Sequence, residues 1–281
     1  YDQYGLTGGT VNSVYDYDAG SQSWYVTGLS LDIFVYNSYI TSNNMQGLYA
    51  YVLGGSDTFT GSSGDDVLGT FAGNDTINAG GGNDRLDGGT GSDSMQGGTG
   101  SDFYMVESAG DQVVESAGSG TDGVLSSVTY TLPNNVEGLL LADGSGAIGG
   151  TGNAADNLVI GNVSGNSIAG NDGMDVLHGR GGNDSINGGN GNDVLTGDGG
   201  ADTLTGGSGA DLFIYFQVSD STTGNRDIIT DFDPSTGDRI DLSSVDANSN
   251  LAGKQPFVWI DSSAFTHTAG ELRYNQSSGL L

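Results

Sequence analysis

The reading turns on residues 188–196, Gly188-Gly189-Asn190-Gly191-Asn192-Asp193-Val194-Leu195-Thr196. The last three are long enough for a strand of roughly 10 Å whose middle side chain points inward. The six before them must turn the chain, and their glycines supply positive φ and close backbone approach. The same unit recurs with a period of nine: Asp57, Asp66, Asp75, Asp84, Asp93 and Asp102 are each followed two residues later by Phe59, Leu68, Ile77, Leu86, Met95 and Tyr104. A second array runs Asn157, Asn166, Asp175, Asp184, Asp193, Asp202 and Asp211, followed likewise by Val159, Ile168, Leu177, Ile186, Leu195, Leu204 and Phe213. A fixed short period of this kind is the sequence signature of a solenoid, and three-residue strands between turns predict an all-β parallel β-roll.

If two nonapeptides complete one coil, each aspartate lies beside the one eighteen residues on, so that Asp66 faces Asp84 and Asp75 faces Asp93. Stacked carboxylates repel unless a cation stands between them. Asp57, Asp66, Asp75, Asp84, Asp93, Asp102, Asp175, Asp184, Asp193, Asp202 and Asp211 are therefore the candidate metal ligands, together with the exposed glycine carbonyls of the turns. Donors that are all oxygen, without His or Cys in the loops, select a hard cation, and flexible carbonyl-rich loops fit several Ca²⁺ ions better than octahedral Mg²⁺. Asp and Gly also mark turns in solenoids that bind nothing, but eleven aspartates held in register across two arrays exceed what turn chemistry needs. Asn157 and Asn166 carry neutral amides, so their coils are expected to continue the solenoid without a full metal site.

Composition agrees. The 281 residues include 52 glycines and 3 prolines, with neither the every-third-residue glycine of collagen nor the featureless polarity of a linker. Asp and Glu number 35 against 6 Lys and Arg, a formal charge of −29 that repels nucleic acid and anionic lipid and asks for neutralising cations. Cysteine is absent, which excludes disulfides, thiolate metal sites and thiol nucleophiles. No uninterrupted apolar stretch is long enough to span a membrane, and no basic n-region followed by an apolar h-region is visible from Tyr1 onward. The lack of an initiator Met leads to the expectation of a fragment or a processed product.

The two arrays resemble the RTX, or hemolysin-type, calcium-binding repeat GGxGxDxUx. That resemblance implies a secreted, extracellular bacterial protein that leaves the cell through type I secretion machinery and folds on meeting external calcium. Residues 103–151 break the nine-residue rhythm. Their runs Gln112–Glu115, Val128–Leu132 and Val136–Leu141 read as strands, resemble a linking segment of RTX proteins, and are expected to extend the solenoid core. The stretch from Asp227 to Leu242 resembles the C-terminal region of serralysin-type proteins, which implies a β cap on the solenoid end; the ending at Leu281 suggests a truncated C-terminus. Asp231, Asp233 and Ser235 begin like an EF-hand, but Gly237 comes one place late and Leu242 stands where the bidentate Glu belongs. The resulting division is an aromatic-rich N-terminal cap (1–51), a first roll (52–105), a linking β segment (106–151), a second roll (152–214) and a serralysin-like cap (215–281).

Enzymatic chemistry finds little support. A zinc-protease HExxH helix is missing, since His178 and His267 stand in no such context. The nearest approach to a Gly-x-Ser-x-Gly elbow, Gly20-Ser21-Gln22-Ser23-Trp24, has Gln22 in place of the central serine and Trp24 in place of the last glycine. Paired carboxylates could act on a glycan, yet every regularly placed Asp already has a ligand role. Three functions of different class follow: a calcium-driven folding and export module, a calcium-dependent adhesion module for acidic polysaccharide, and a toxin fragment. The last is disfavoured by the lack of an amphipathic insertion segment.

Overall fold

The computed structural model describes residues 55–245, together with the backbones of the strands Thr10–Asp18, Ser21–Asp32, Val258–Trp259 and Glu271–Leu272. The chain divides into two compact units, Tyr1–Val128 and Thr129–Leu281. Each contains a parallel β-solenoid, and the short 3-10 turn Val218–Asp220 is the one helical element among the described residues.

In the first unit, strands Thr58–Thr60, Thr76–Gly81, Ser94–Thr99 and Gln112–Val114 stack in that order to form one sheet. Strands Val67–Gly69, Arg85–Asp87, Phe103–Val106 and Gly123–Ser126 stack to form the other. Phe59, Ile77, Met95 and Val113 lie in register on one side, and Leu68, Leu86, Tyr104 and Val124 on the other. All eight are buried. A hairpin of Thr10–Asp18 and Ser21–Asp32 pairs antiparallel with Thr58–Thr60 and so extends the first sheet at its leading edge. The rest of the expected N-terminal cap, and its aromatic side chains, lie outside the described residues.

The second unit repeats the plan. Gly138–Leu141, Leu158–Ile160, Val176–His178, Val194–Thr196, Leu212–Ile214 and Arg239–Asp241 form one sheet. Tyr130–Thr131, Gly149–Thr151, Ser167–Asp172, Ser185–Asn190, Thr203–Ser208 and Ile228–Ile229 form the other. Val159, Leu177, Leu195 and Phe213 fill the core from one side, and Ile168, Ile186, Leu204 and Ile229 from the other. One large apolar side chain per nonapeptide makes this core thin, at about 1.5–3 kcal/mol for each such group buried.

Where the nine-residue rhythm fails, strand pairing continues. Gln112–Val114 sits in the ordinary register, eighteen residues after Ser94–Gln96. Tyr130 pairs with Gly150 and Gly138 with Leu158, twenty residues apart, so a loop absorbs two extra residues. The strand expected over Val128–Leu132 is only Tyr130–Thr131, and that over Val136–Leu141 starts at Gly138. Ile228–Ile229 and Arg239–Asp241, from the expected C-terminal cap, are strands of the roll's last coil, reached through longer loops.

The second residue of many repeat turns is left-handed whatever its type: Gly189 has φ +109°, Asn171 +83°, Arg180 +73° and Asp198 +58°. Gly191 is more constrained, because at φ +139° an added methyl would run into the Gly173 carbonyl of the preceding coil. Gly191→Ala is expected to lower unfolding stability by about 1–3 kcal/mol. Gly64→Ala, where a methyl would meet nothing closer than 4.0 Å, is expected to stay within ~0.5 kcal/mol. Urea unfolding of the two variants measures the difference.

Candidate metal centres

The repeat aspartates join one coil to the next. In the first unit the backbone N–H of Asp57 donates to Asp75 Oδ1, Asp75 to Asp93 and Asp93 to Asp111. A parallel ladder runs from Asp66 through Asp84 and Asp102 to Asp122. In the second unit the ladders are Asn157–Asp175–Asp193–Asp211–Asp238 and Asn166–Asp184–Asp202–Asp227. These bonds measure 2.7–3.1 Å. On the exposed flank an opposite ladder clamps the coils: the Asn83 N–H donates to Asp65 Oδ1 at 2.7 Å, and the Ser101 N–H to Asn83 Oδ1 at 2.8 Å.

The second carboxylate oxygen separates two kinds of turn. In closed turns it accepts an N–H from its own loop. Asp66 Oδ2 takes Ser62 at 2.6 Å, Asp111 Oδ2 takes Ser108 at 3.0 Å, and Asp238 Oδ2 takes Asp233 at 2.8 Å. In open turns Oδ2 is buried without a hydrogen-bond partner, as in Asp57, Asp75, Asp84, Asp93, Asp102, Asp175, Asp184, Asp193, Asp202, Asp211 and Asp227. A buried, unpaired carboxylate oxygen is costly, and a row of them requires compensation.

The space facing these oxygens identifies the compensation. A methyl built on Gly88 would lie 2.6 Å from Asp93 Oδ2. Methyls on Gly170, Gly179 and Gly188 would meet Oδ2 of Asp175, Asp184 and Asp193, and would also lie 2.6, 2.8 and 2.5 Å from the carbonyl oxygens of Gly188, Gly197 and Gly206 in the next coil. No carbon can stand at such a point. A Ca²⁺ ion, which takes oxygen ligands at about 2.3–2.6 Å, suits oxygens that converge beside a bare glycine, where a side chain would displace them. The glycines thus leave a cradle of hard oxygen donors, one carboxylate and one carbonyl from successive coils, and the residues fit the ion the sequence suggested.

The asparagine coils solve the same problem without charge. Asn157 Oδ1 accepts the Asn153 N–H at 2.6 Å, and Asn166 Oδ1 accepts that of Asn162 at 2.8 Å, so both turns are closed. Their amide hydrogens cover carbonyls: Asn153 Nδ2 donates to Pro133 and Val136 oxygens at 2.7 Å, and Asn166 Nδ2 to that of Ile148 at 2.9 Å. Thr70 does likewise in the first unit, standing where Gly88 stands one coil later and donating its hydroxyl to the Gly88 carbonyl. Asp231 and Asp233, the start of the apparent EF-hand, serve backbone instead: Asp231 accepts from Gly206 and Gly207, and Asp233 from Ser235.

Four ladder members escaped the sequence reading. Asp111 keeps the period, eighteen residues after Asp93 and two before the inward Val113; that spacing could have found it, although Glu107-Ser108-Ala109-Gly110 hides the glycine pattern. Asp122, Asp227 and Asp238 lie 20, 25 and 27 residues from their partners, beyond inserted loops that erase the period.

Burial raises Asp57, Asp84, Asp93, Asp102, Asp175, Asp184, Asp193, Asp202, Asp211 and Asp227, with neighbouring carboxylates mostly adding to the effect and the donated N–H usually opposing it. Asp57, Asp93, Asp175 and Asp202 are pushed up to about 6, and Asp184 and Asp227 to about 7. Burial, then the Glu115 carboxylate, also raises the Tyr104 phenol, which stays protonated and donates to Glu115.

Among protein families, the model of the RTX calcium-binding nonapeptide repeat matches the chain in four copies, at residues 51–86, 69–104, 151–186 and 178–213. No curated protein matches the chain.

The pKa shifts set the pH dependence of the metal-free fold. The folded carboxylates hold protons up to pH 6 or 7 that the unfolded chain has lost above about pH 4, so the metal-free roll loses stability as pH rises through that window. In chelator, the urea midpoint is expected to be higher near pH 5 than near pH 7.5. With calcium present, protons compete at the same oxygens, and the apparent affinity falls as pH drops through 7 to 6. A metal-free midpoint that rises with pH would contradict the burial described above.

Proposed function

The chain carries RTX calcium-binding nonapeptide repeats, and from that premise we propose that it folds when its open aspartate turns take up calcium outside the cell. The observation that carries this reading is the row of buried, unpartnered Oδ2 atoms. When bound, Ca²⁺ supplies the positive charge that lets Asp75, Asp93, Asp175, Asp193 and the other open-turn carboxylates stand one coil apart. Before that, mutual repulsion within a charge of −29 keeps the chain extended, the form in which RTX repeat proteins pass an export channel. Folding and binding are then one equilibrium. Extracellular calcium modules bind at about 10⁻⁴–10⁻³ M, so millimolar calcium fills the turns and cytoplasmic micromolar calcium does not.

The repeat region is non-catalytic in itself, and no helix among the described residues is long and apolar enough to cross a membrane. In this reading residues 52–105 and 152–214 are the two calcium rolls, and 106–151 and 215–245 carry the solenoid past the ends of the repeats. Binding of acidic polysaccharide is a weaker reading. The groove on the sheet of Ser167–Asp172, Ser185–Asn190 and Thr203–Ser208 is lined by Asn171, Asp172, Asn187, Asn190 and Ser208, without a basic side chain to pair with a polyuronate.

Far-UV circular dichroism during a calcium titration in chelated buffer, with magnesium as control, tests the proposal. A cooperative gain of β signal near millimolar calcium, absent with magnesium, is expected. A β spectrum indifferent to chelator would refute it. Asp193→Asn removes one buried charge from the middle of the second roll. It is expected to leave the metal-free chain no less stable and to reduce the number of calcium ions bound in equilibrium dialysis.

A further inference from the structure

The first unit's repeat ends at Asp102, and the next coil departs from the pattern in a specific way. Gln112, Val113 and Val114 pair with Ser94, Met95 and Gln96, so the register carries Glu115 to the place that Gly97 occupies one coil earlier. In the second unit the corresponding residue is a glycine, such as Gly206 after Gly188, whose carbonyl oxygen faces the cradle. Beside Gly97 the contacts change: an added methyl would meet Asp102 Oδ2 and the Tyr104 hydroxyl instead. Tyr104 is rooted in the core, accepts the Gly97 N–H at 2.7 Å and donates to the Glu115 carboxylate, so it fixes that side chain over the turn.

We propose that Asp102, Glu115 and Asp122 form a three-carboxylate calcium site that closes the first roll, different in donor set from the repeat sites and tighter than they are. The inference rests on the calcium reading of the repeats and adds a residue that the repeat motif does not contain. Three observations carry it. Carboxylate oxygens of the three residues lie within 4.8 Å of one another, and two oxygens on one Ca²⁺ at about 2.4 Å stand no more than about 4.8 Å apart. Asp102, only 2 % exposed, points an unpartnered Oδ2 at this place. Asp122 is equally buried and receives the Asp102 N–H at Oδ1, while Ser119 Oγ lies 2.8 Å from Glu115 Oε2 and 3.4 Å from Asp122 Oδ2, tying the loop around the cluster. A repeat cradle joins a carboxylate oxygen to a neutral carbonyl; here Glu115 brings an additional negative charge, and charge count is one of the terms that tune calcium affinity.

The test is isothermal titration calorimetry of the full chain with Ca²⁺, paired with Tb³⁺ titration excited through tyrosine. The unmodified chain is expected to show one equivalent of Ca²⁺ bound about tenfold or more tighter than the rest. Glu115→Gln loses that equivalent's tight phase and keeps the remaining sites and the calcium-induced β signal. Glu115→Gly, which restores the repeat residue, keeps the stoichiometry with the site weakened to repeat affinity. Tyr104→Phe keeps the stoichiometry and loses a component of the tyrosine-sensitised Tb³⁺ emission. Glu115→Gln and Glu115→Gly chains that titrate like the unmodified one, in number and affinity, overturn the site while leaving calcium-driven folding standing. An unmodified chain that binds no calcium removes both. If Glu115→Gln does not fold in calcium, the Glu115→Gly titration decides, with an unchanged tight phase overturning the site.

Discussion

The structure depends on how one aspartate side chain divides its two oxygens. Oδ1 accepts the backbone N–H of the preceding coil, which fixes the stacking distance and register of the solenoid. That leaves Oδ2 buried with nothing to accept. In most open turns a glycine stands opposite it, such as Gly88, Gly170, Gly179 or Gly188, where a side chain would run into the oxygens that converge there; Thr70 and Ala79 hold that place before Asp75 and Asp84. The stacking, the turn glycines and much of the acidic charge follow from that one arrangement: a coil so built sets buried carboxylates one above another, where a cation would neutralise them.

A thin core makes the cation matter. Each nonapeptide contributes one large inward side chain, such as Leu195 or Ile186, to a body in which coils touch only their neighbours. Several described coils near the ends of the arrays satisfy the second oxygen by other means. Asp66 and Asp111 close their turns with local N–H donors, Asn157 and Asn166 do so with amides, and Asn153 and Asn162 cover carbonyls that no cation serves. Open turns thus lie mostly within the repeats, with Asp227 just beyond them.

Much of this was legible in the chain before its structure. The inward residues from Phe59 to Phe213 were readable because a period of nine leaves one position in each unit pointing to the core, and burial of an apolar side chain needs only that position. Asp111 was readable in principle from spacing and was obscured by Val106, Glu107 and Ala109 in the glycine places. Asp122, Asp227 and Asp238 were not readable, since strand pairing can absorb a loop of any length without moving the ladder. The strand boundaries between 128 and 141 were overextended because apolar runs there continue past the residues that pair.

The sequence by itself determined the parallel roll, the inward face and the aspartate row, because each follows from residue type at fixed spacing along the chain. Only the tertiary structure decided which aspartates keep a bare oxygen. Asp66 and Asp84 are identical in register, yet the Ser62 N–H folds onto Oδ2 of one and no N–H reaches Oδ2 of the other. It also decided that Glu115, eighteen residues after a glycine, arrives beside Asp102 and Asp122. Hydrogen bonding to a carboxylate depends on where a loop's backbone points in space, and that direction is set by the coil above and the coil below rather than by the local sequence.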